Sequence, residues 1–280
     1  MKKIALILAA IFLIGALTGT ITTFAKGKGS ATPKDESGSI IAGGGSSSGG
    51  SSLKPSGSGT ATVIPSSDPT FSSAIAKETL RQQIDFSTPF TPNQESNGWA
   101  LWTDPGFTVT QSAGNLKVKN TQYSYLGTDG VDTKCDFTFR MTKDYNRNNP
   151  HFSASFDLLG SAAGTLNSQV SISLEEKAGT YESANLLAIH NNQLYAVDKD
   201  KGEVKLADIG YQSALKISYH VDMLEHKVQI WIGTRYAGEF TLDTGLTDDK
   251  TANQFFAFYA PPDIDNVNRE ITLDNIKIYY

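Results

Sequence analysis

Short segments in which apolar and polar residues alternate fill most of residues 85–280 of this 280-residue chain. A period of two places every apolar side chain of a strand on one face, whereas a helix needs apolar residues three and four positions apart. The clearest segments are 135–140, 152–158, 170–174, 215–222 and 227–232, and turn-forming residues separate them. Strands with one apolar face bury it against a second sheet. The sequence therefore predicts an all-β fold of two antiparallel sheets packed face to face.

The composition of the chain argues against a nucleic-acid-binding site and against a zinc site built from cysteines. The chain has 24 basic and 29 acidic residues, a net charge of −5, whereas a nucleic-acid partner needs clustered Lys and Arg. The single cysteine excludes an intramolecular disulfide and a zinc site built from cysteines. Cys135 alternates in step with Phe137 and Phe139, so we expect it to be a buried, unreactive thiol.

The N-terminus has the layout of an export signal. Lys2 and Lys3 are followed by an uncharged run to Ala25, and small residues precede a cleavage position there. The run is also long enough to remain as a membrane anchor, with both lysines inside. Residues 1–25 are thus interpreted as a signal peptide or an N-terminal anchor, which would be the chain's sole membrane contact. One cysteine is more typical of a bacterial than a eukaryotic exported protein. We therefore expect a bacterial protein that is secreted or tethered outside the membrane.

A linker separates this N-terminal segment from the alternating region. Residues 26–70 contain 10 Gly and 12 Ser, and their few apolar groups cannot offset the entropy of ordering the chain. We predict a disordered spacer. Residues 71–84 carry apolar residues near helical spacing, which predicts a short helix or, alternatively, the end of the linker. The folded domain then covers residues 85–280.

The last third of the chain has a distinctive order of strands and turns. A strand ends near Asp222, a second covers 227–232, a turn begins at Gly233 before a third, and a closing strand covers 271–279. The opening adds Asp85-Phe86, Trp99 and the segments 107–109 and 114–118. This order resembles the concanavalin A-like lectin/glucanase and laminin-G-like jelly rolls. The resemblance implies a jelly-roll sandwich, a fold that carries lectins, carbohydrate-binding modules, glycoside hydrolases, polysaccharide lyases and adhesion domains.

The catalytic patterns that the resemblance suggests are not met. Jelly-roll glucanases carry Glu-x-Asp-x-x-Glu on one strand, and no such run occurs here. The lyases combine an Arg-rich strand with Gln-x-His, whereas Arg140 stands alone and Ser218 precedes His220 where Gln is expected. We therefore favour non-catalytic binding of a polysaccharide or glycan. A divergent glycoside hydrolase or lyase, and a structural or protein-binding surface domain, remain as alternatives.

Trp231 is the leading candidate for stacking on a sugar. The apolar residues Val228, Ile230 and Ile232 of the same strand are expected to face the core. The Trp231 ring should therefore point to the opposite, outer face beside Gln229. If the hairpin closes at Leu224-Glu225, Asp222 faces Lys227, His220 faces Gln229 and Ser218 faces Trp231. With Tyr236 in the next turn, the predicted carbohydrate-binding residues are Trp231, Gln229, His220 and Tyr236. The alternatives are that a loop covers Trp231, or that Trp231 is itself the residue facing the core and the alternation is misread. Trp99 and Trp102 are interpreted as structural residues at the edge of the sandwich.

Two groups of carboxylates suggest a structural calcium ion. Asp263 and Asp265 lie in a loop rich in oxygen-bearing side chains, which calcium prefers as ligands. The resemblance also implies that Asp274 on the closing strand could meet Asp85 at the opening strand and hold Ca²⁺ between the chain ends. The alternative is a solvated loop in which Asp and Asn serve turn chemistry.

Overall fold

The computed structural model describes residues 68–112, 114–142, 150–177, 180–243 and 251–280. The segment interpreted as a signal or anchor (1–25) and the predicted linker up to residue 67 lie outside these ranges. Within them, no helix is long and apolar enough to cross a membrane. The described chain contains the helix α1 (Phe71–Ala74) and a 3₁₀ turn at Ile264–Asn266.

The rest of the regular structure is extended. In chain order the strands are β1 (Leu80–Ile84), β2 (Gln94–Ser96), β3 (Trp99–Thr103), β4 (Phe107–Ser112), β5 (Asn115–Asn120), β6 (Ser124–Leu126), β7 (Asp132–Lys134), β8 (Phe137–Met141), β9 (His151–Leu159), β10 (Ser168–Lys177), β11 (Thr180–His190), β12 (Gln193–Asp198), β13 (Gly202–Asp208), β14 (Leu215–Asp222), β15 (Lys227–Ile232), β16 (Arg235–Thr241), β17 (Thr251–Ala260) and β18 (Glu270–Tyr279).

Two large antiparallel sheets form the sandwich. Sheet I has the order β16-β15-β14-β9-β18-β5-β4, and β1 also pairs with β18. Sheet II has the order β13-β12-β11-β10-β17-β8-β3-β2. The crossovers between distant strands, such as β9 beside both β14 and β18, are those of a jelly roll. The predicted all-β, two-sheet antiparallel sandwich is confirmed.

The core lies between the sheets and is built from the apolar positions of the alternating segments. Phe137 and Phe139 on β8 and Phe256 and Phe258 on β17 are fully buried. Trp99 stacks on Phe139 with their ring centroids 5.1 Å apart. Cys135 is buried in the same cluster, as predicted, and burial raises the pKa of its thiol. The polar residues that alternate with these core residues consequently face outward on both sheets.

The short helix predicted within residues 71–84 is present only over the first four of them. Helix α1 ends at Ala74, and Leu80–Ile84 is a strand paired with the closing strand β18. A helix this short is marginal alone, whereas the open edge of β18 offers unpaired backbone donors and acceptors to an incoming strand. The folded domain therefore begins before residue 85. Thr70, assigned to the linker from the sequence, instead forms the N-terminal cap of α1.

Candidate functional site

The exposed platform predicted at Trp231 is wrong, because the ring is buried. Its exposed fraction is 0%, and its indole Nε1 donates a hydrogen bond of 2.8 Å to the carbonyl of Pro69. Phe71 of α1 and Tyr236 of β16 lie against it, each with ring centroids 5.5 Å away. The hairpin register predicted from the sequence is nevertheless confirmed, since Trp231 faces Ser218 and Gln229 faces His220. The ring does point outward from sheet I, but residues 69–71 cover it.

The other residues predicted beside Trp231 contact neighbours within the domain. Nδ1 of His220 lies 2.9 Å from Oγ of Ser153 and 3.0 Å from a carboxylate oxygen of Glu78. Gln229 donates a 3.3 Å hydrogen bond to Glu239, which also holds Lys227 at 2.7 Å. Tyr236 lies against Trp231, and burial raises the pKa of its hydroxyl. These contacts tie the hairpin to its surroundings and leave no large exposed aromatic ring among the four predicted residues.

The four predicted calcium ligands form two separate pairs. One carboxylate oxygen of Asp263 accepts from the backbone N–H of Asp265 at 2.9 Å, and the other accepts from the side-chain amide of Asn167 at 2.7 Å. Asn266 is buried and bonds to Asn167 as well. Asp263 therefore caps the 3₁₀ turn with one oxygen and holds Asn167 with the other, which is turn chemistry rather than a free ligand.

Asp85 and Asp274 are brought to the same place, as expected. Burial raises the pKa of Asp274, and the charges of Asp157 and Asp85 raise it further. The backbone at Gly114 approaches the carbonyl of Asp85 so closely that an added Cβ would lie 3.2 Å from it. Carboxylate and carbonyl oxygens are the ligands that Ca²⁺ takes. The described residues hold no cluster of three or more His, Cys, Asp or Glu side chains suited to a metal. Asp85 accepts hydrogen bonds from the backbone N–H and the hydroxyl of Ser87, and Asp274 accepts one from the backbone N–H of Asn275.

The outer face of sheet II carries a row of aromatic and polar side chains that crosses six strands. Successive members face each other in register from β3 to β12: Trp102, Thr138, Tyr259, Gln169, Ala188 and Tyr195. Trp102 is 40% exposed, whereas Trp99, three residues earlier, is in the core. Tyr195 stacks on His190 with ring centroids 4.1 Å apart. We call this set the aromatic row.

The neighbouring row on the same face consists of small residues around one arginine. Ala100 and Ala257 flank Arg140, and Ser171 lies beyond Ala257. Nε of Arg140 is buried, and so is Oε1 of Gln254, which faces Ser173 on β10. Neither atom has a hydrogen-bond partner in the part of the chain that the structure describes. Ala100, Ala257, Ser171 and Gln254 are buried as well, so this row is closed to solvent, unlike Trp102 in the aromatic row.

Two carboxylates lie beyond the end of the aromatic row. Asp104 accepts a 2.9 Å hydrogen bond from the backbone N–H of Asp136 and also bonds to the hydroxyl of Tyr125. Burial raises the pKa of Asp136, and the charge of Asp104 raises it further. Tyr259 hydrogen-bonds to Asp136, and burial together with that carboxylate raises the pKa of Tyr259 to about 12. The aromatic row thus ends beside two carboxylates: Asp136, whose pKa is raised by burial, and Asp104, which accepts hydrogen bonds from Asp136 and Tyr125.

Solved structures identify the fold. The chain resembles the catalytic domain of an endo-1,3-beta-glucanase (laminarinase) from Thermotoga petrophila at a TM-score of 0.50 and 10% identity, over 72% of this chain and 98% of that one. The domain has the concanavalin A-like jelly-roll fold. It is also similar to the Emp47p carbohydrate recognition domain, with a TM-score of 0.47 and 10% identity over 73% and 97% of the two chains. A sialidase gives a TM-score of 0.46 and 9% identity over 65% of this chain.

The likeness to the laminarinase domain shows the fold alone. The chain spans 17% of the sialidase's length. No protein-family model and no curated protein matches the sequence.

The outward positions of β10 up to residue 173 are Gln169, Ser171 and Ser173, and the buried residues between them are Val170 and Ile172.

Sequence reasoning missed the aromatic row because its six members come from six separate strands. The residues that alternate with the apolar core residues indicate which side chains share the outer face of a strand. Thr138 and Arg140 alternate with Phe137 and Phe139, so they must share the outer face of β8. Trp102, interpreted from the sequence as a structural residue at the edge of the sandwich, does lie on β3 beside the edge strand β2, and it is 40% exposed.

Proposed function

We propose that this jelly roll binds a polysaccharide or glycan without catalysis, on the outer face of sheet II, in a protein exported from a bacterial cell. The aromatic row, with Trp102 exposed at one end and Tyr259 and Gln169 in register beyond it, is the observation that carries the proposal. Sugar rings offer apolar C–H faces to aromatic rings and hydroxyls to polar side chains. A binding face for them needs both kinds of group, and the Trp231 hairpin offers no exposed ring.

The dimensions of the row suit an extended ligand. Neighbouring strands lie about 4.8 Å apart, so the six strands from Trp102 to Tyr195 span about 24 Å. Tyr259 lies two strands from Trp102, and Gln169 follows it with an amide that can bond hydroxyls. A chain of sugars lying across the strands would meet aromatic and hydrogen-bonding groups in turn.

A panel of immobilised polysaccharides tests the proposal with the full chain. We expect at least one glycan to be retained, and Trp102→Ala to weaken that binding about tenfold or more because the exposed ring is lost. Tyr211→Ala is the matched control, since Tyr211 is 58% exposed and is not part of the aromatic row. Circular dichroism checks that each variant is folded. Retention of no glycan, or equal loss in both variants, would contradict the proposal.

A second candidate is hydrolysis by Asp104 and Asp136. Two neighbouring carboxylates, one with a raised pKa, are the arrangement that glycosidases use for an acid and an ionised partner. On this alternative, the bound glycan would release new reducing ends on long incubation, and Asp136→Asn would abolish release while leaving retention intact. Non-catalytic binding predicts no products from either protein.

A further inference from the structure

We infer that a cavity at the side of the sandwich is a second sugar site, which binds one neutral sugar unit. The cavity has a volume of about 370 Å³ and lies between β1, at the edge of sheet I, and the hairpin of β2 and β3, at the edge of sheet II. Sites for small ligands have volumes of about 300–1,000 Å³. The inference takes the class of ligand from the proposed function and adds a site away from the aromatic row.

Solvent reaches the rim of this side cavity. Exposed lining residues come from both of its walls: Arg81, Gln83, Asp85, Ser96 and Asn97. The floor is buried and aromatic, since Trp99 is 1% exposed and Phe86 is 4% exposed. A ligand can therefore enter from solvent between the two sheet edges and approach an apolar floor.

The walls of the side cavity carry amide and hydroxyl groups that the fold does not use. Four such side chains make no hydrogen bond within the ranges that the structure describes: Gln83, Thr88, Ser96 and Asn97. Gln82 differs, because its Oε1 accepts a 2.5 Å hydrogen bond from the indole Nε1 of Trp99 and so ties the floor to β1. Amides and hydroxyls both donate and accept hydrogen bonds, which is what the hydroxyls of a sugar require.

The charges that line the side cavity balance each other. Its charged lining residues are Arg81 and Asp85, about 13 Å apart along the extended chain. Nε of Arg81 donates a 3.3 Å hydrogen bond to the carbonyl of Tyr280, and one oxygen of Asp85 accepts two hydrogen bonds from Ser87. With one charge of each sign, both already in contact with the fold, the lining suits a neutral ligand.

Two lining residues have left-handed backbone, with φ of 54° at Phe86 and 52° at Asn97. This conformation is uncommon for a residue as bulky as phenylalanine. The Phe86 ring packs against Phe139 in the core, with ring centroids 5.4 Å apart, while Thr88 stays exposed on the cavity wall. Asn97 lies in the turn between β2 and β3, where glycine would adopt the same backbone and lack only the amide.

The side cavity and the aromatic row can be altered independently. Trp99 and Trp102 are three residues apart on β3, so their side chains point to opposite faces. Trp99 lies at the floor of the cavity, whereas Trp102 is exposed on the outer face of sheet II. A change at one tryptophan or beside it therefore leaves the other site in place.

Titration of the isotope-labelled full chain with small sugars tests the inference by NMR. The probes are the methyl glycosides of glucose, galactose, mannose and xylose, which differ in one hydroxyl or one hydroxymethyl group. We expect saturable shifts at the indole N–H of Trp99 and at the amides of residues 96–98, with one glycoside binding at least threefold more tightly than another. Glycerol, which has hydroxyls but no ring, should give no saturable shift.

A matched pair of turn variants locates the bound sugar. Asn97→Gly keeps the turn and loses the amide, so it should weaken glycoside binding about fivefold to tenfold. Asn191→Gly is the control, because Asn191 is also exposed, has a φ of 53° and lies in the turn between β11 and β12, away from the cavity. Trp102→Ala should leave the glycoside shifts unchanged.

Two outcomes would overturn the inference: no saturable shift at Trp99 and residues 96–98 with any of the four glycosides, or equal shifts with all four and with glycerol. Either outcome leaves the proposed function in place if polysaccharide is still retained and Trp102→Ala still reduces that retention. The glycoside titration of the unmodified chain decides the question even if Asn97→Gly fails to fold.

Discussion

Trp231 is held by a segment that lies 162 residues earlier in the chain. Its indole N–H meets the Pro69 carbonyl, and its ring packs between Phe71 and Tyr236. Aromatic pairs at these distances add to the free energy of burial. A residue that looks like a binding platform in its own strand is thus a structural residue in the folded chain.

Replacing Trp231 should therefore reduce stability and not glycan binding. We expect Trp231→Ala to lower the free energy of unfolding by about 3–5 kcal/mol, the usual cost of truncating a buried Trp. Trp231→Phe keeps most of the packing and loses one hydrogen bond, so its loss should be about 1 kcal/mol beyond the change in size. Urea unfolding measures both. If Trp231→Ala kept full stability and lost glycan binding, the ring would be a ligand contact after all.

Asp136 makes the stability of the domain depend on pH. Burial and, after it, the charge of Asp104 raise its pKa, so the native state binds a proton more tightly than the unfolded chain does. Between the unfolded value of 3.8 and the raised pKa, the free energy of unfolding must fall as pH rises. Asp136→Asn cannot ionise and should not show this fall.

We expect Asp136→Asn to gain stability relative to the unmodified protein as pH rises from 3.8 through the raised pKa, and to keep the gain at pH 7. Urea unfolding at several pH values measures the difference. Asp132→Asn, at an exposed position on β7, serves as the control. Parallel pH profiles for Asp136→Asn and the unmodified protein would show that the native carboxyl ionises as easily as the unfolded one.

At the level of elements, α1 depends on its contacts with sheet I. It has four residues, too few for a stable helix in water, although Thr70 and Ser73 cap it reciprocally. Phe71 inserts between Trp231 and Tyr279, with ring centroids 5.5 Å and 5.9 Å away. The aromatic contacts of one residue therefore anchor the whole segment.

We expect Phe71→Ala to release this segment without unfolding the sandwich. Hydrogen exchange should accelerate at the amides of residues 71–76 and at the indole N–H of Trp231, while β9 and β14 in the centre of sheet I stay protected. Phe71→Leu keeps an apolar side chain and should show a smaller effect. Unchanged exchange in Phe71→Ala would mean that the capping box alone holds the helix.

The elements that could be predicted from the sequence are those defined by a local pattern, without knowledge of the strand they pair with. Strict alternation located β8, β9, β14 and β15, and the turn at Leu224-Glu225 fixed the register of one hairpin. The strand β1 was mistaken for a helix because its partner β18 ends the chain, almost 200 residues away. The aromatic row was missed for the same reason, since pairings across distant strands bring its members together.

On the scale of the whole molecule, the opening and closing segments meet on sheet I. β1 pairs with β18, and Asp85, directly after β1, lies near Asp274 in the middle of β18. Negative charges gathered there repel one another, and a divalent cation would remove the repulsion. We propose that this is the place where calcium would stabilise the domain.

We expect Ca²⁺ to raise the melting temperature and a chelator to lower it, because an ion bound only by the native state stabilises that state. Asp274→Asn should abolish the response. Asp263→Asn should retain it, since both oxygens of Asp263 already accept hydrogen bonds within the protein. A melting temperature that is the same in calcium and in chelator would contradict calcium binding between Asp85 and Asp274.

The contact between Pro69 and Trp231 would also determine where a pull on the N-terminal side of the described chain acts on the domain. The chain reaches the sandwich on the outer face of sheet I, whereas the aromatic row lies on the outer face of sheet II. A ligand held on the row and a pull on the N-terminal side would act on opposite faces. The force would then be transmitted across the thickness of the sandwich. Helix α1 and its aromatic contacts would bear it first, so the segment that covers Trp231 would detach before the sandwich unfolds.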